Sequence, residues 1–231
     1  TFAMIIFMFM QMIYLGMSPF WAAVIMVVVT TIVTMYLIGS NDRKTISAIL
    51  GTTLGVLISG LSAWIFGLAA DIDGYNVSNI ETLVYLGQNT QIKIGGLLFA
   101  GILIASLGAV MDVAMSVSSA IAEIHDKSKT LGMKELFISG MHVGKDMMGT
   151  MSNTLILAFA GGSISVLVLD YAYNLPLRQI INSYSIGIEI MQGIAGSIGV
   201  ILTVPTTAFM AALLYGAKRN ITVHSSQEDT Q

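Results

Sequence analysis

Long apolar segments constrain this chain more than any other feature of its sequence. Five segments are long enough to cross a bilayer as helices, and they cover residues 20–38, 45–69, 95–122, 151–172 and 185–216. A helix needs about 20 residues to span the hydrocarbon, where only helices and closed barrels satisfy every backbone hydrogen bond. These segments are much longer than barrel strands, so they predict an all-α membrane protein. A sixth, shorter segment covers residues 1–15 and is interrupted by Gln11.

Composition excludes a soluble domain. Hydrophobic residues make up 55% of the chain, charged residues make up 10%, and the mean hydropathy is +0.82. Soluble domains carry about a quarter charged residues. We therefore expect a polytopic bundle of about six transmembrane helices, forming a single transmembrane domain over residues 1–219. No basic domain indicates a nucleic-acid partner, and the absence of cysteine excludes disulfides and thiolate metal sites.

The distribution of basic residues predicts the orientation of the bundle, because short cytoplasmic loops collect Lys and Arg. If the spans alternate in direction, eight of the ten basic residues fall on one side: Arg43, Lys44, Lys127, Lys129, Lys134, Lys145, Lys218 and Arg219. This places the C-terminus in the cytoplasm. The tail over residues 220–231 is polar with few large apolar residues, so we expect it to be disordered. A weak apolar spacing over residues 80–86 suggests a short interfacial helix on the opposite side.

Small and polar residues within the third long segment recur at steps of three and four. They lie on one face of a helix and comprise Gly101, Ala105, Gly108, Asp112, Ser116, Ser119 and Glu123. Asp112 is near the middle of this segment, where a carboxylate facing lipid costs about 2.5–3.5 kcal/mol. We therefore expect Asp112 to face protein or water.

Two later segments repeat the pattern of polar residues at helical steps. The first contains Ser139, His142, Asp146, Gly149 and Asn153, with Lys145, Thr150 and Thr154 beside them, and the second contains Glu189, Gln192, Gly196, Gly199, Thr203 and Thr206. Pro205 removes one backbone donor from the last helix and predicts a kink. We expect the three polar faces to enclose a polar interior around Asp112, Asn153 and residues 203–207.

Structural interpretations compete with this one at several positions. Gly51, Gly55 and Ser59 are spaced by four residues, which is typical of close helix contacts and favours packing over a pathway. Three polar residues are expected near the cytoplasmic boundary, namely His142, Lys145 and Asp146. Solvation or pairing with one another explains them as well as a role in a binding site does.

The sequence gives little support for a metal site or an enzyme active site. The chain contains sixteen Met residues, but they are scattered, and packing explains them better than copper binding. His125, His142 and His224 have no partner at ligand spacing, which disfavours zinc. No nucleophile motif supports catalysis, so we expect no enzyme activity and no cofactor.

Two segments carry a family resemblance. The segment GAVMDVAMS from Gly108 to Ser116 and the segment SGMHVGKDMMGTMSNTL from Ser139 to Leu155 resemble the signature stretches of the YibE/F family of bacterial multi-pass membrane proteins. The resemblance implies a plasma-membrane protein, often encoded beside a second copy and provisionally described as a transporter or permease. The positions that match the signatures are Asp112, Ser116, Asp146, Gly149, Thr150, Asn153 and Thr154.

The sequence therefore predicts a membrane transporter or channel-like protein that moves a small polar solute or ion. The candidate binding residues are Asp112, Ser116, Asp146, Thr150, Asn153, Thr154 and Thr203, and the candidate gating or kink residues are Gly108, Gly149 and Pro205. Besides the lipid bilayer, we expect a homodimer or a pairing with a homologous membrane subunit. The alternative is a non-transporting membrane subunit that anchors or regulates a partner protein.

Overall fold

The computed structural model describes residues 2–39, 42–72, 85 and 96–216. Within these ranges the secondary structure is helical, and no strand is present. The helices are α1 (Phe2–Tyr14), α2 (Pro19–Ile38), α3 (Arg43–Ala69), α4 (Leu97–Lys127), α5 (Met133–Gly162), α6 (Ile164–Ala172), α7 (Leu177–Ile181) and α8 (Tyr184–Gly216). The predicted all-α membrane fold is confirmed.

Among the described residues, fewer helices are long and apolar enough to span a membrane than the six or so that the sequence predicted. Four helices of the described chain, α2, α3, α4 and α8, are each long and apolar enough to cross a membrane. Helices α5 and α6 meet at an angle of 49° and add a fifth span if they cross as one unit. Over the described residues, helix α1 is apolar and has 13 residues, which rise about 20 Å and are fewer than in any of these spans.

The helix that contains the fourth predicted segment begins much earlier than expected. The sequence predicted residues 151–172, but α5 starts at Met133 and continues without a break through Lys145 and Asp146. At its start, the backbone N–H of Gly132 donates a hydrogen bond of 2.8 Å to Glu135 Oε2, which satisfies one free donor of the first turn. The charged residues do not interrupt the helix because their side chains are exposed on its outer surface.

Glycines bring α3 and α8 into close contact at the centre of the bundle. A side chain at Gly51 would overlap Thr207, and a side chain at Gly55 would overlap Thr203. One turn further along, the side chain of Ser59 fills the space beside Gly199. The predicted role of this four-residue spacing in close helix packing is confirmed.

Contacts across α3 show which parts of the bundle lie at the same level. Gly60 faces Leu103 of α4, and Gly55 faces both Val110 of α4 and Thr203 of α8. Helix α3 is therefore antiparallel to α4 and α8. Since Asp112 and Pro205 each follow a Gly55 neighbour by two residues, they lie at nearly the same level, and Asp112 is at the midpoint of the 31-residue helix α4.

One end of the bundle, which we call the basic end, joins the start of α3 to the ends of α4 and α8. Arg43 Nη1 donates a hydrogen bond of 2.9 Å to the carbonyl oxygen of Leu214. The His125 and Tyr215 rings are in contact, with their centroids 5.0 Å apart. The predicted tail over residues 220–231 lies outside the described residues, as does all of the predicted helix over residues 80–86 except Tyr85.

Candidate functional site

Asp112 lies on the outer surface of the bundle. Its side chain is exposed, whereas Val110 and Val113 on the opposite side of α4 are completely buried. Gly101 and Gly108 share the exposed side, and no atom lies within 4 Å of the position that a Cβ would occupy at either glycine. The expectation that one chain encloses a polar interior around Asp112 is therefore wrong.

Helix α5 also carries exposed polar side chains. They are His142, Lys145, Asp146, Thr150, Asn153 and Thr154. We call these residues together with Asp112 the polar outer face. Thr150 Oγ1 donates to the Asp146 carbonyl oxygen at 3.4 Å, and Thr154 Oγ1 donates to the Thr150 carbonyl oxygen at 2.9 Å. Among the described residues, neither the Asp112 carboxylate nor the Asn153 amide has a hydrogen-bond or ion-pair partner.

Asp146 lies deeper along the bundle than the sequence suggested. Gly144, two residues before it, packs against Val204 of α8, and Val204 is adjacent to Pro205. Asp146 is therefore near the level of Asp112, in the middle of the bundle. No ion pair joins His142, Lys145 and Asp146 to one another in the described part of the chain. An open recess of about 620 Å³ borders these three residues.

Thr203 does not belong to the polar outer face. It is completely buried between α8 and α3, and its hydroxyl donates a hydrogen bond of 2.7 Å to the carbonyl oxygen of Gly199. The predicted grouping of Thr203 with Asp112 is therefore wrong. The physical reason is that a hydroxyl in a membrane helix satisfies itself on the preceding turn, which leaves a small side chain suited to packing against Gly55.

The remaining candidates lie around this face or near its level. Ser116 is partly exposed one turn beyond Asp112, and Gly149 is exposed with open space around it. Helix α8 continues through Pro205 without a break. The gating roles of Gly108, Gly149 and Pro205 stay predictions.

Replacing Thr203 with Val is expected to leave the protein folded and to lower its free energy of unfolding by no more than about 1 kcal/mol. Valine keeps the shape of the side chain, and the lost hydrogen bond contributes about 1 kcal/mol. Unfolding in detergent measures this change. A loss of several kcal/mol would show that the Thr203 hydroxyl does more than satisfy itself on the preceding turn.

A feature that the sequence did not reveal lies where α5 meets α6. Ser163 is buried at this break, after Gly161 and Gly162. The break borders an apolar groove of about 220 Å³ between α5, α6 and α8, whose lining includes Ile156, Leu167, Glu189 and Ile194. Paired glycines have low helix propensity, and this pair was the available signal for the break.

The polar outer face offers carboxylate, amide and hydroxyl groups. Hard cations prefer such oxygen ligands. Within residues 2–39, 42–72 and 96–216, however, no group of three or more His, Asp and Glu side chains is close enough to hold a metal ion.

A family model described as YibE/F-like protein matches residues 1–217. The match includes all of the helices described above. No curated protein and no solved structure matches the chain significantly.

Proposed function

The chain belongs to the YibE/F family, and we propose that it is a subunit of a membrane transporter that moves a small polar solute or ion. In this proposal the path runs along the polar outer face and is closed by a second subunit. The setting is the plasma membrane of a bacterium, with the C-terminus in the cytoplasm. The basic end of the bundle then faces the cytoplasm, in agreement with the distribution of positive charge.

The observation that carries this proposal is the exposure of Asp112 at mid-level. An Asp at the centre of a bilayer costs about 2.5–3.5 kcal/mol when it faces lipid. Lys145 and Asp146 are exposed near the same level and add to this cost. A face of this kind is stable in a membrane when protein or water covers it.

Polar residues on this side of α5 extend beyond the polar outer face towards the basic end. Glu135 and Asn153 are both exposed on α5, and 18 residues of helix, which make five full turns, separate them by about 27 Å. This distance is close to the thickness of the hydrocarbon, about 30 Å. A solute that enters at the basic end therefore meets polar groups until it has passed the level of Asp112.

The charges on this face favour a cation or a proton as the solute. Asp112 has no basic partner among the described residues, and Asp146 provides a second carboxylate near its level. In our proposal Asp112 binds the cation, and Thr150 and Asn153 supply neutral oxygens. Gly149 and Pro205 permit the helix movement that alternating access requires.

Thiol accessibility tests whether water reaches this face, and the chain has no cysteine of its own. A membrane-impermeant maleimide, added from the side of the basic end, is expected to label Asn153→Cys at least about tenfold faster than Leu157→Cys, because only hydrated thiols ionise and react readily. Leu157 is a matched control, since it lies one turn further along α5 and is 61% exposed. Equal labelling of both positions would contradict a hydrated path that ends near Thr154.

A non-transporting subunit is the second candidate function. It is favoured by the open position of Asp112, since the described chain alone encloses no polar cavity around it. In this case a partner protein covers the polar outer face without water. Asn153→Cys would then be as unreactive as Leu157→Cys, and the same labelling experiment distinguishes the two functions.

A further inference from the structure

We propose that lipid chains cover the outer side of α3, that Arg43 and the two Trp residues mark the two boundaries of the hydrocarbon, and that α6 lies outside it. The surface covered by lipid, which we call the lipid-facing side of α3, consists of Ile46, Leu50, Leu54, Leu57 and Leu61. This position of the membrane does not depend on transport.

The lipid-facing side of α3 is apolar without interruption. Its five residues recur at steps of three and four, so they share one face of the helix. Their exposed fractions range from 36% to 54%. An exposed apolar stripe along a whole helix is unfavourable in water, whereas lipid chains are as apolar as the stripe itself. The bilayer is therefore the partner that this surface fits.

A basic residue and an aromatic residue bound this stripe. Arg43 is exposed just before it, and Trp64 is 50% exposed just after it. The 21 residues of helix from Arg43 to Trp64 rise about 31 Å. The hydrocarbon of a bilayer is about 30 Å thick. Arg and Trp suit its two boundaries, because their apolar parts stay in the hydrocarbon while their polar groups reach the headgroups.

Trp21 on α2 lies at the same level as Trp64. Gly39, which follows the last residue of α2, packs against Thr45 of α3, so the two helices are antiparallel. Trp21 is about 27 Å from Gly39 along α2, and Trp64 is about 28 Å from Thr45 along α3. Trp21 is 62% exposed, and the chain contains two Trp residues in all. Both therefore lie in one plane, as in the aromatic belts of membrane proteins.

The plane of the two Trp residues places α6 outside the hydrocarbon. Gly199 of α8 packs against Ser59 of α3. Gly196, three residues earlier in α8, packs against Leu155 of α5, so Leu155 is close to this plane. Ser163 is eight residues further along and lies about 12 Å beyond Leu155. Helix α5 then crosses the hydrocarbon by itself, and the 49° bend into α6 follows after the crossing.

Quenching of Trp fluorescence by brominated lipids tests the boundary. The protein is reconstituted in vesicles of phosphatidylcholine with bromine either near the glycerol or near the chain ends. Trp21→Phe and Trp64→Phe each leave one native Trp as the reporter. Both reporters are expected to be quenched at least about twofold more by the shallow bromine. Equal or stronger quenching by the deep bromine overturns the boundary.

Two control positions complete the test in a protein with both Trp21→Phe and Trp64→Phe. Leu54→Trp lies midway along the stripe and is expected to be quenched at least about twofold more by the deep bromine. Val168→Trp lies on α6, where Val168 is 62% exposed, and its quenching by the deep bromine is expected to be at least about fivefold weaker than that of Leu54→Trp. Equal quenching of these two positions returns α6 to the hydrocarbon. An unquenched Leu54→Trp overturns the lipid-facing side of α3, and none of these outcomes depends on flux.

Discussion

Replacing Asp112 with Asn is expected to reduce flux through reconstituted protein at least about tenfold. The exchange removes the negative charge at mid-level and leaves a side chain of the same size. A cation that loses this contact loses at least about 1.4 kcal/mol of binding, which corresponds to a factor of ten. Flux is measured in proteoliposomes across a panel of inorganic cations and protons, with the wild-type protein defining which solute moves.

Glu189→Gln is the matched control for this experiment. It makes the same carboxylate-to-amide change in another span, at a residue that borders the apolar groove and not the polar outer face. Its flux is expected to stay within about twofold of wild type. Circular dichroism and size-exclusion chromatography confirm that both variants are folded. A wild-type rate in the Asp112→Asn protein would remove the central residue of the proposed path.

Most of the fold follows from the apolar segments. The long segments predict the helices because a bilayer leaves the backbone few alternatives. Four of the predicted spans agree with α2, α3, α4 and α8 to within a few residues at each end. The start of α5 was missed because its first half carries Lys134, Glu135 and Lys145, and hydropathy cannot recognise a helix whose outer surface is polar.

The direction of the polar faces could not be predicted from spacing alone. Helical periodicity shows that residues such as Gly101, Gly108 and Asp112 share a face. It does not show whether that face points into the bundle or away from it. In a membrane an apolar face is stable in either direction, because lipid and the bundle interior are both apolar. In α4 the inward side consists of residues such as Val110 and Val113, so the polar side is left on the outside.

The glycines illustrate the same limit. Gly55 and Gly101 are both followed four residues later by another small residue, Ser59 and Ala105 respectively. Only the structure distinguishes them: Gly55 touches two neighbouring helices within the chain, whereas Gly101 has open space beside it. A pattern of small residues therefore predicts close packing without naming the partner, which for Gly55 is α8 together with α4.

Replacing Gly55 with Ala is expected to lower the free energy of unfolding by about 1–3 kcal/mol, the usual cost of overpacking a core. The added methyl group would overlap Thr203 and crowd Val110, so α8 and α4 must both shift. Gly101→Ala makes the same change where nothing lies within 4 Å. It is expected to raise stability by about 0.5–1 kcal/mol, because Ala has the higher helix propensity.

The opposite signs of these two changes make the comparison sharp, and unfolding in detergent by titration with sodium dodecyl sulfate measures both. The gain in helix propensity is common to both substitutions, so it cannot produce a difference in sign between them. If Gly55→Ala were as stable as Gly101→Ala, α3 and α8 would not be in close contact at this level. Asp112 and Pro205 could then no longer be placed at the same level, and the position of the path across the bilayer would be lost with them.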